Sequence, residues 1–312
     1  MLEIHFQYTW QSPILFAFSS RGLAMNVLVV HAHPEPRSLN GSLKDLAVET
    51  LTGLGHEVRI SDLYAMQWKA VADADDFLEP VDPGRLSYAR ESKHGYETRT
   101  QSPDIAAEQE KLVWADAIIF QFPMWWFSAP AILKGWVERV FAYGFAYGVG
   151  VHGGERWGDR YGEGNLLGRR ALLSVTIGGR EPHYSTRGVN GPLDDLLWPI
   201  QHGTLYYPGI AVLPPFVLYQ TDRLKPEDWP EIARSYRARL EGLFTDDVIP
   251  YRRQNGGHYD TQQVLKEGLG VGESGTRIHL LQPGDQQQEL EADEARELEG
   301  SESRYKLLVG AT

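Results

Sequence analysis

Residues 118–147, IIFQFPMWWFSAPAILKGWVERVFAYGFAY, constrain the fold more than any other stretch of this chain. The apolar run 117–120 has the length and character of a strand buried on both faces. It breaks at Pro123 into an aromatic loop, Trp125-Trp126-Phe127, and restarts as a helix. Pro130 suits the first helical turn, where a missing N–H is no loss. Ile132, Leu133, Trp136, Val137, Val140 and Phe141 then recur at helical spacing, with Lys134, Glu138 and Arg139 expected toward water. This strand–loop–helix unit places bulky rings at a strand's carboxyl end, the edge where open α/β sheets bind ligands.

Aromatic clusters are ordinarily core. Three consecutive rings on a proline-bounded loop cannot all face one interior, however, so at least one should line a cavity, a partner or a flat ligand.

The rest of the chain supplies the sheet around this unit. Strands are expected at 27–30, 58–60 (shorter and nearer an edge), 171–176 and 210–213. Helices are expected from about Asn40 to Gly53, from Pro103 through Leu112, over 193–203 and over 226–244. Residues 65–101 read as polar and irregular, with Asp73, Asp75 and Asp76 solvated. The glycine-rich stretch 148–168 reads as a long loop of the lid type. Alternating buried strands and amphipathic helices imply a parallel sheet with right-handed crossovers. Three loops, 31–40, 121–130 and 176–192, then converge at its carboxyl edge.

Composition narrows the function. The net charge is −12, but the Gln/Glu-rich segment 285–302 carries seven of those charges, so the body is mildly acidic. A clustered basic face is missing, which argues against a nucleic-acid partner. With no cysteine, disulfides, thiolate metal sites and a cysteine nucleophile are excluded. No apolar run approaches a membrane span and no basic leader precedes an apolar one, so a cytoplasmic protein is expected. Residues 1–24 read as an upstream extension, 25–244 as the catalytic domain, 245–285 as an extension packing on it or on a dimer, and 286–312 as an acidic tail.

The first loop carries neither a P-loop nor a GxGxxG fingerprint. Instead Arg37-Ser38-Leu39-Asn40 opens a helix, where hydroxyl, amide and backbone N–H groups can hold a phosphate. Ser38 or Asn40 could equally serve as a plain helix cap. His31 and His33 have no third ligand nearby, so no metal is expected; His33 reads as a phosphate donor. In the third loop Gly178-Gly179 admits a ring or backbone closely, and Tyr184 is a phenol able to donate to a developing anion. A flat ring clamped between an aromatic and a glycine loop, its phosphate on a helix, describes a flavin. A nucleotide-binding protein without catalytic activity remains open at this point.

HAHPEPRSLN, SDLYAM, SPDIAAEQ, FQFP, WFSAPAILKGWVERVFAYGFAY, LLSVTIGG and LLWPIQHGTLYYPGI, in this order and spacing over residues 25–244, resemble the NAD(P)H:quinone oxidoreductase (DT-diaphorase) family, including bacterial drug-activity-modulator-like members. The resemblance implies an α/β, flavodoxin-like, doubly wound five-stranded parallel sheet of order 2-1-3-4-5. It also implies non-covalent FAD, NAD(P)H as co-substrate, and a homodimer with the site at the subunit interface. By matching position, His33, Ser38 and Asn40 should meet the FAD pyrophosphate, with Leu39 where the family has a larger apolar contact. Pro123, Met124, Trp125, Trp126 and Phe127 belong to the stretch that should line the isoalloxazine. Thr176, Gly178 and Gly179 should approach its pyrimidine edge, with Tyr184 near O2. Tyr147 should be a pocket aromatic lent across the dimer.

Two positions depart from mammalian members. Asn190 stands where they carry a histidine six residues after the tyrosine, and asparagine cannot take a proton. Tyr184 and backbone amides are therefore expected to stabilise charge, with Asn190 as an orienter. Trp125 replaces a glutamine. The function implied is ping-pong, two-electron reduction of quinones or similar flat acceptors. The alternatives are a nitro- or azo-reductase of the same fold, or an ancillary flavoprotein of a potassium-efflux system; FMN is disfavoured by the extended first loop.

Overall fold

A computed structural model describes residues 24–153 and 156–285. The proposed extension over 1–24, except Ala24, and the tail over 286–312 lie outside the described residues. In chain order the elements are β1 (Asn26–His31), α1 (Leu39–Gly53), β2 (Glu57–Asp62), α2 (Tyr88–Thr98), α3 (Pro103–Trp114), β3 (Ala117–Pro123) and α4 (Ala131–Val140). A small hairpin, β4 (His152–Gly153) with β5 (Arg156–Trp157), precedes β6 (Arg170–Thr176) and α5 (Leu193–Ile200). Two short strands, β7 (Ala211–Val212) and β8 (Phe216–Leu218), and then α6 (Trp229–Glu241) complete the set.

The main sheet runs β2-β1-β3-β6, with β7 and β8 both paired to β6 and all neighbours parallel. The fifth position is thus one strand in two pieces, separated by Leu213, Pro214 and Pro215. Proline has no N–H for a ladder and interrupts the expected 210–213 strand, which resumes beyond it. The five-stranded 2-1-3-4-5 order expected from the resemblance is the order observed.

Each central strand is apolar on both faces because both are covered. Val27, Val29, Ile119 and Leu172 pack on one side with Leu43, Leu51, Tyr236 and Leu240 from α1 and α6. Leu28, Val30, Ile118, Phe120 and Leu173 pack on the other with Leu112 of α3 and Trp136 of α4. Residues 245–285 return to the body: Ile249 N–H donates to Val212 O at 2.7 Å and Gln254 N–H to Tyr161 O at 3.1 Å.

Three expectations are corrected. Residues 65–101 are not irregular throughout, since α2 occupies 88–98. Its buried face is polar, with Glu91, Ser92 and Gly95, so no apolar period announces it. Glu91 is anchored by the Val81 N–H at 2.6 Å. Asp76 is fully buried rather than solvated, and Arg139 is 2 % exposed rather than in water. The two pair at 2.9 Å, Arg139 also reaches Asp104 at 2.7 Å, and its guanidinium lies 4.6 Å from the Trp68 ring centroid. Burial alone would raise the Asp104 carboxyl, but Arg139 overrides it and holds the group below its ordinary range. The 148–168 segment, expected as a long loop of the lid type, is tied to the body over 161–166. Tyr161 and Gly162 donate backbone N–H groups to Tyr207 and Tyr206 at 2.9 and 3.1 Å, and Leu166 is fully buried.

Candidate active site at the carboxyl edge of the sheet

The three loops meet because their bases are bonded together. Asn40, at the start of α1, donates its amide to Thr176 Oγ1 at 2.9 Å and accepts from Gln121 Nε2 at 2.8 Å. Met124 N–H donates to Thr176 O at 2.9 Å. Residues 136 positions apart are thereby locked at the ends of β1, β3 and β6. Asn40 and Thr176 are each 4 % exposed and Gln121 is fully buried. The network therefore lies beneath the surface and holds the loops from below, a buried polar cluster of the kind that fixes one arrangement. Gln121 went unnoticed in the sequence because it interrupts an apolar strand without a motif around it.

The first loop then closes as a helix start. Ser38 is the N-cap of α1, its Oγ accepting from Gly41 N–H at 3.2 Å. Helix geometry leaves the Leu39 and Asn40 amides without an intrahelical acceptor, so the end still offers N–H groups to an anion. Gly41 is obligatory here, since an added Cβ would lie 1.9 Å from Pro36 O. Leu39 packs partly buried against the α1/α6 side of the core. His33 holds the loop through Nδ1, 3.1 Å from both Glu35 O and Glu35 N, and its ring centroid is 6.1 Å from that of Trp125. His31 faces inward and is fully buried; burial pushes its imidazole below the ordinary value, and the Asp62 carboxylate at 3.2 Å only partly offsets this.

The aromatic loop is a two-residue reversal. Trp125 and Ser128 exchange backbone hydrogen bonds at 3.0 and 3.1 Å, with Trp126 and Phe127 at φ 49° and 61° between them. Such a turn normally uses Asn-Gly. Two bulky aromatic residues in the left-handed region cost about 1–2 kcal/mol each. The conformation throws the rings outward, leaving Trp126 96 % exposed and Trp125 and Phe127 nearly half exposed. Pro123 is buried and Met124 half-buried at the loop base.

The third loop follows β6. Gly178 is exposed, and a Cβ there would make only ordinary contact with the Asp222 carboxylate at 3.7 Å, whereas a Cβ on Gly179 would lie 2.9 Å from the Tyr184 ring. Tyr184 therefore folds over Gly179, in contact with Tyr219 at a centroid distance of 5.8 Å. The loop is closed by Asn190 N–H donating to His183 O at 3.0 Å, a pairing that admits only glycine at 188, where a Cβ would meet His183 O at 2.2 Å. Among the described residues no hydrogen bond joins the Asn190 side chain to Tyr184. Tyr147 sits elsewhere: it lines a cavity of about 330 Å³ with Val137, Phe141 and Tyr207, stacked edge-on against Tyr143. Burial pushes its phenol upward, keeping it protonated.

The carboxyl ends of β3 and β6 thus lead into an aromatic loop and a loop bearing two glycines and a phenol, both tied at their bases to the start of α1. These residues fit a flavin: flat apolar rings with solvent on one side, an open glycine where a ring can approach, and unpaired amides for a phosphate. Among the described residues no group of three or more histidine, aspartate or glutamate side chains is arranged to hold a metal. No helix among them is long and apolar enough to cross a membrane.

Comparison with known proteins agrees with this geometry. The sequence profile of the family described as having a flavodoxin-like fold matches residues 25–242. A ribosyldihydronicotinamide dehydrogenase-like protein of Penicillium crustosum is 51 % identical over 235 residues, covering 75 % of this chain and 87 % of that one. The ribosyldihydronicotinamide dehydrogenase [quinone] of Homo sapiens is 41 % identical over 225 residues, covering 72 % and 94 %. A solved Klebsiella pneumoniae structure assigned as a quinone reductase superposes with a TM-score of 0.81 at 54 % identity, covering 83 % of this chain and all of that one.

Proposed function

The chain belongs to the flavodoxin-like-fold family that contains these quinone dehydrogenases, and on that premise we propose an FAD-dependent NAD(P)H oxidoreductase that reduces quinones or similar flat acceptors by two electrons. The observation that carries the reading is Trp126, held 96 % exposed on a left-handed backbone in the loop that follows β3. A core residue has no cause to be kept in that position. A flavin held by these residues would supply hydride acceptance and two-electron donation.

The chain's own groups bind, orient and hold protons. The α1 amides beside Ser38, with His33, suit the cofactor's phosphates. Trp126 and Phe127 provide apolar faces for a ring, and Gly178 leaves room for it. The Tyr184 hydroxyl lies over Gly179, where it can donate a hydrogen bond to negative charge on the ring edge. With no hydrogen bond from its side chain to Tyr184 among the described residues, Asn190 acts by closing the third loop through its backbone. One face serving donor and acceptor in turn gives ping-pong kinetics. A second copy of the chain, supplying its own Tyr147, would cover the exposed rings, so a homodimer is part of this reading.

The test is direct. Heating purified protein should release FAD, identified by absorption and mass; FMN would change the cofactor assignment, and no chromophore would overturn the reading. NAD(P)H-dependent quinone reduction should give parallel double-reciprocal lines. Tyr184→Phe should lower turnover by at least about tenfold with flavin affinity nearly unchanged; equal rates of flavin reduction in stopped flow would remove Tyr184 from its role.

A further inference from the structure

A second cavity lies away from the sheet edge, where the 148–168 segment, the end of α5 with the wide helical turn after it, and the returning 245–285 segment meet. Its volume is about 560 Å³, within the range of small-molecule sites. One wall is a stack of rings. His202 lies between Trp198, at 4.1 Å and 15° between planes, and Tyr161, at 4.7 Å and 22°. Buried among these rings, His202 titrates only at about 3 and stays neutral, so the wall is flat, aromatic and uncharged.

The charge comes from arginine. Arg160 and Arg252 both line the cavity, and no aspartate or glutamate does, in a protein of net charge −12. Arg252 is fully buried. It spends Nη2 on Asp285 at 2.7 Å and Nε on Ile278 O at 2.9 Å, while Nη1 has no hydrogen-bond partner among the described residues. A buried guanidinium nitrogen without an acceptor costs free energy unless something supplies one. Among the described residues Arg160 has no carboxylate partner: it donates to the Gln254 side chain and to Tyr207 Oη. One cationic side chain therefore remains uncompensated beside a planar ring wall. Arginine in that setting matches a carboxylate through its fork of N–H groups.

We propose that this cavity is a binding site for a planar aromatic carboxylate, its ring lying on the Trp198–His202–Tyr161 stack and its carboxylate held by Arg160 and drawn toward the buried, unpartnered Nη1 of Arg252. The site shares none of its lining with the three loops at the sheet edge, and its ligand need not be a redox substrate.

The test uses the full-length, flavin-loaded protein and 2-naphthoate as probe, with 2-naphthalenemethanol as the uncharged analogue, in calorimetric titration. One 2-naphthoate per chain should bind at least tenfold more tightly than the alcohol. Arg160→Gln should weaken it at least tenfold, and Trp126→Ala, at the sheet edge, should leave it unchanged. If Arg160→Gln fails to fold by circular dichroism, Thr276→Asp, which sets a carboxylate in the lining, should produce the same loss. No binding, equal affinity for the alcohol, full affinity in Arg160→Gln (or, where that variant does not fold, in Thr276→Asp), or loss in Trp126→Ala would each overturn the proposal. The readout is independent of turnover, so failure here leaves the redox reading untouched.

Discussion

Trp126 and Trp136 are ten residues apart and have opposite fates. Trp136, on the inner face of α4, is fully buried, with its Nε1–H donating to Glu108 at 2.9 Å. Trp126 is almost wholly in solvent on a backbone that disfavours it. The helix buries its indole by ordinary periodicity and satisfies the one polar atom it brings along. The loop gains no burial and adds strain. Where a fold places its largest apolar residue against both burial and backbone preference, the reason lies in what that residue meets outside the chain.

This contrast can be attacked from several sides. Trp136→Ala should cost about 3–5 kcal/mol in urea unfolding, because it opens a cavity and deprives Glu108 of a donor; a loss below about 1 kcal/mol would show that the core side of the comparison is misread. The other ring-rich region, around His202, should respond to pH. Its folded value of about 3 lies below the ordinary 6.5, so the unfolded chain takes up a proton that the folded one refuses. Stability should fall as pH drops below about 6.5, by about 2 kcal/mol at pH 5, and the loss should continue toward about 3. His202→Phe should reduce that slope, leaving the contributions of His31, His56 and His279, which burial also lowers. The smallest effect on stability is expected at the loop. Trp126→Gly should keep or raise stability by up to about 1 kcal/mol, since glycine adopts φ 49° freely, while quinone reduction falls at least about tenfold. A clear destabilisation would mean that the ring supports the fold after all.

The central strands were legible because each is a short apolar run, and helices α1, α3 and α4 because their apolar residues recur at helical spacing. The loops that carry the site were legible by the same logic, as the segments following those strands. What the sequence concealed was polar burial. Glu91, Ser92 and Gly95 form the inner face of α2, and Asp76 with Arg139 forms a buried pair. Charged residues at such positions have the same letters as solvated ones, and only their partners distinguish them. Asn40 shows the same limit within the site: its position at the helix start suggested a ligand contact, whereas its amide is committed to Thr176 and Gln121. The left-handed turn at Trp126-Phe127 was invisible for another reason, since no turn chemistry asks for aromatic residues there.

The divided fifth strand has a consequence for assembly. A parallel sheet of this kind ends in rows of open amides and carbonyls that invite another molecule's strand. Here one border is broken by Pro214 and Pro215, neither of which can donate, and the opposite border, β2, carries Glu57 and Arg59. Neither rim is a good template for edge-to-edge growth or fibre formation. That leaves the helices and loops, on which the exposed rings are displayed, as the surfaces open to another molecule.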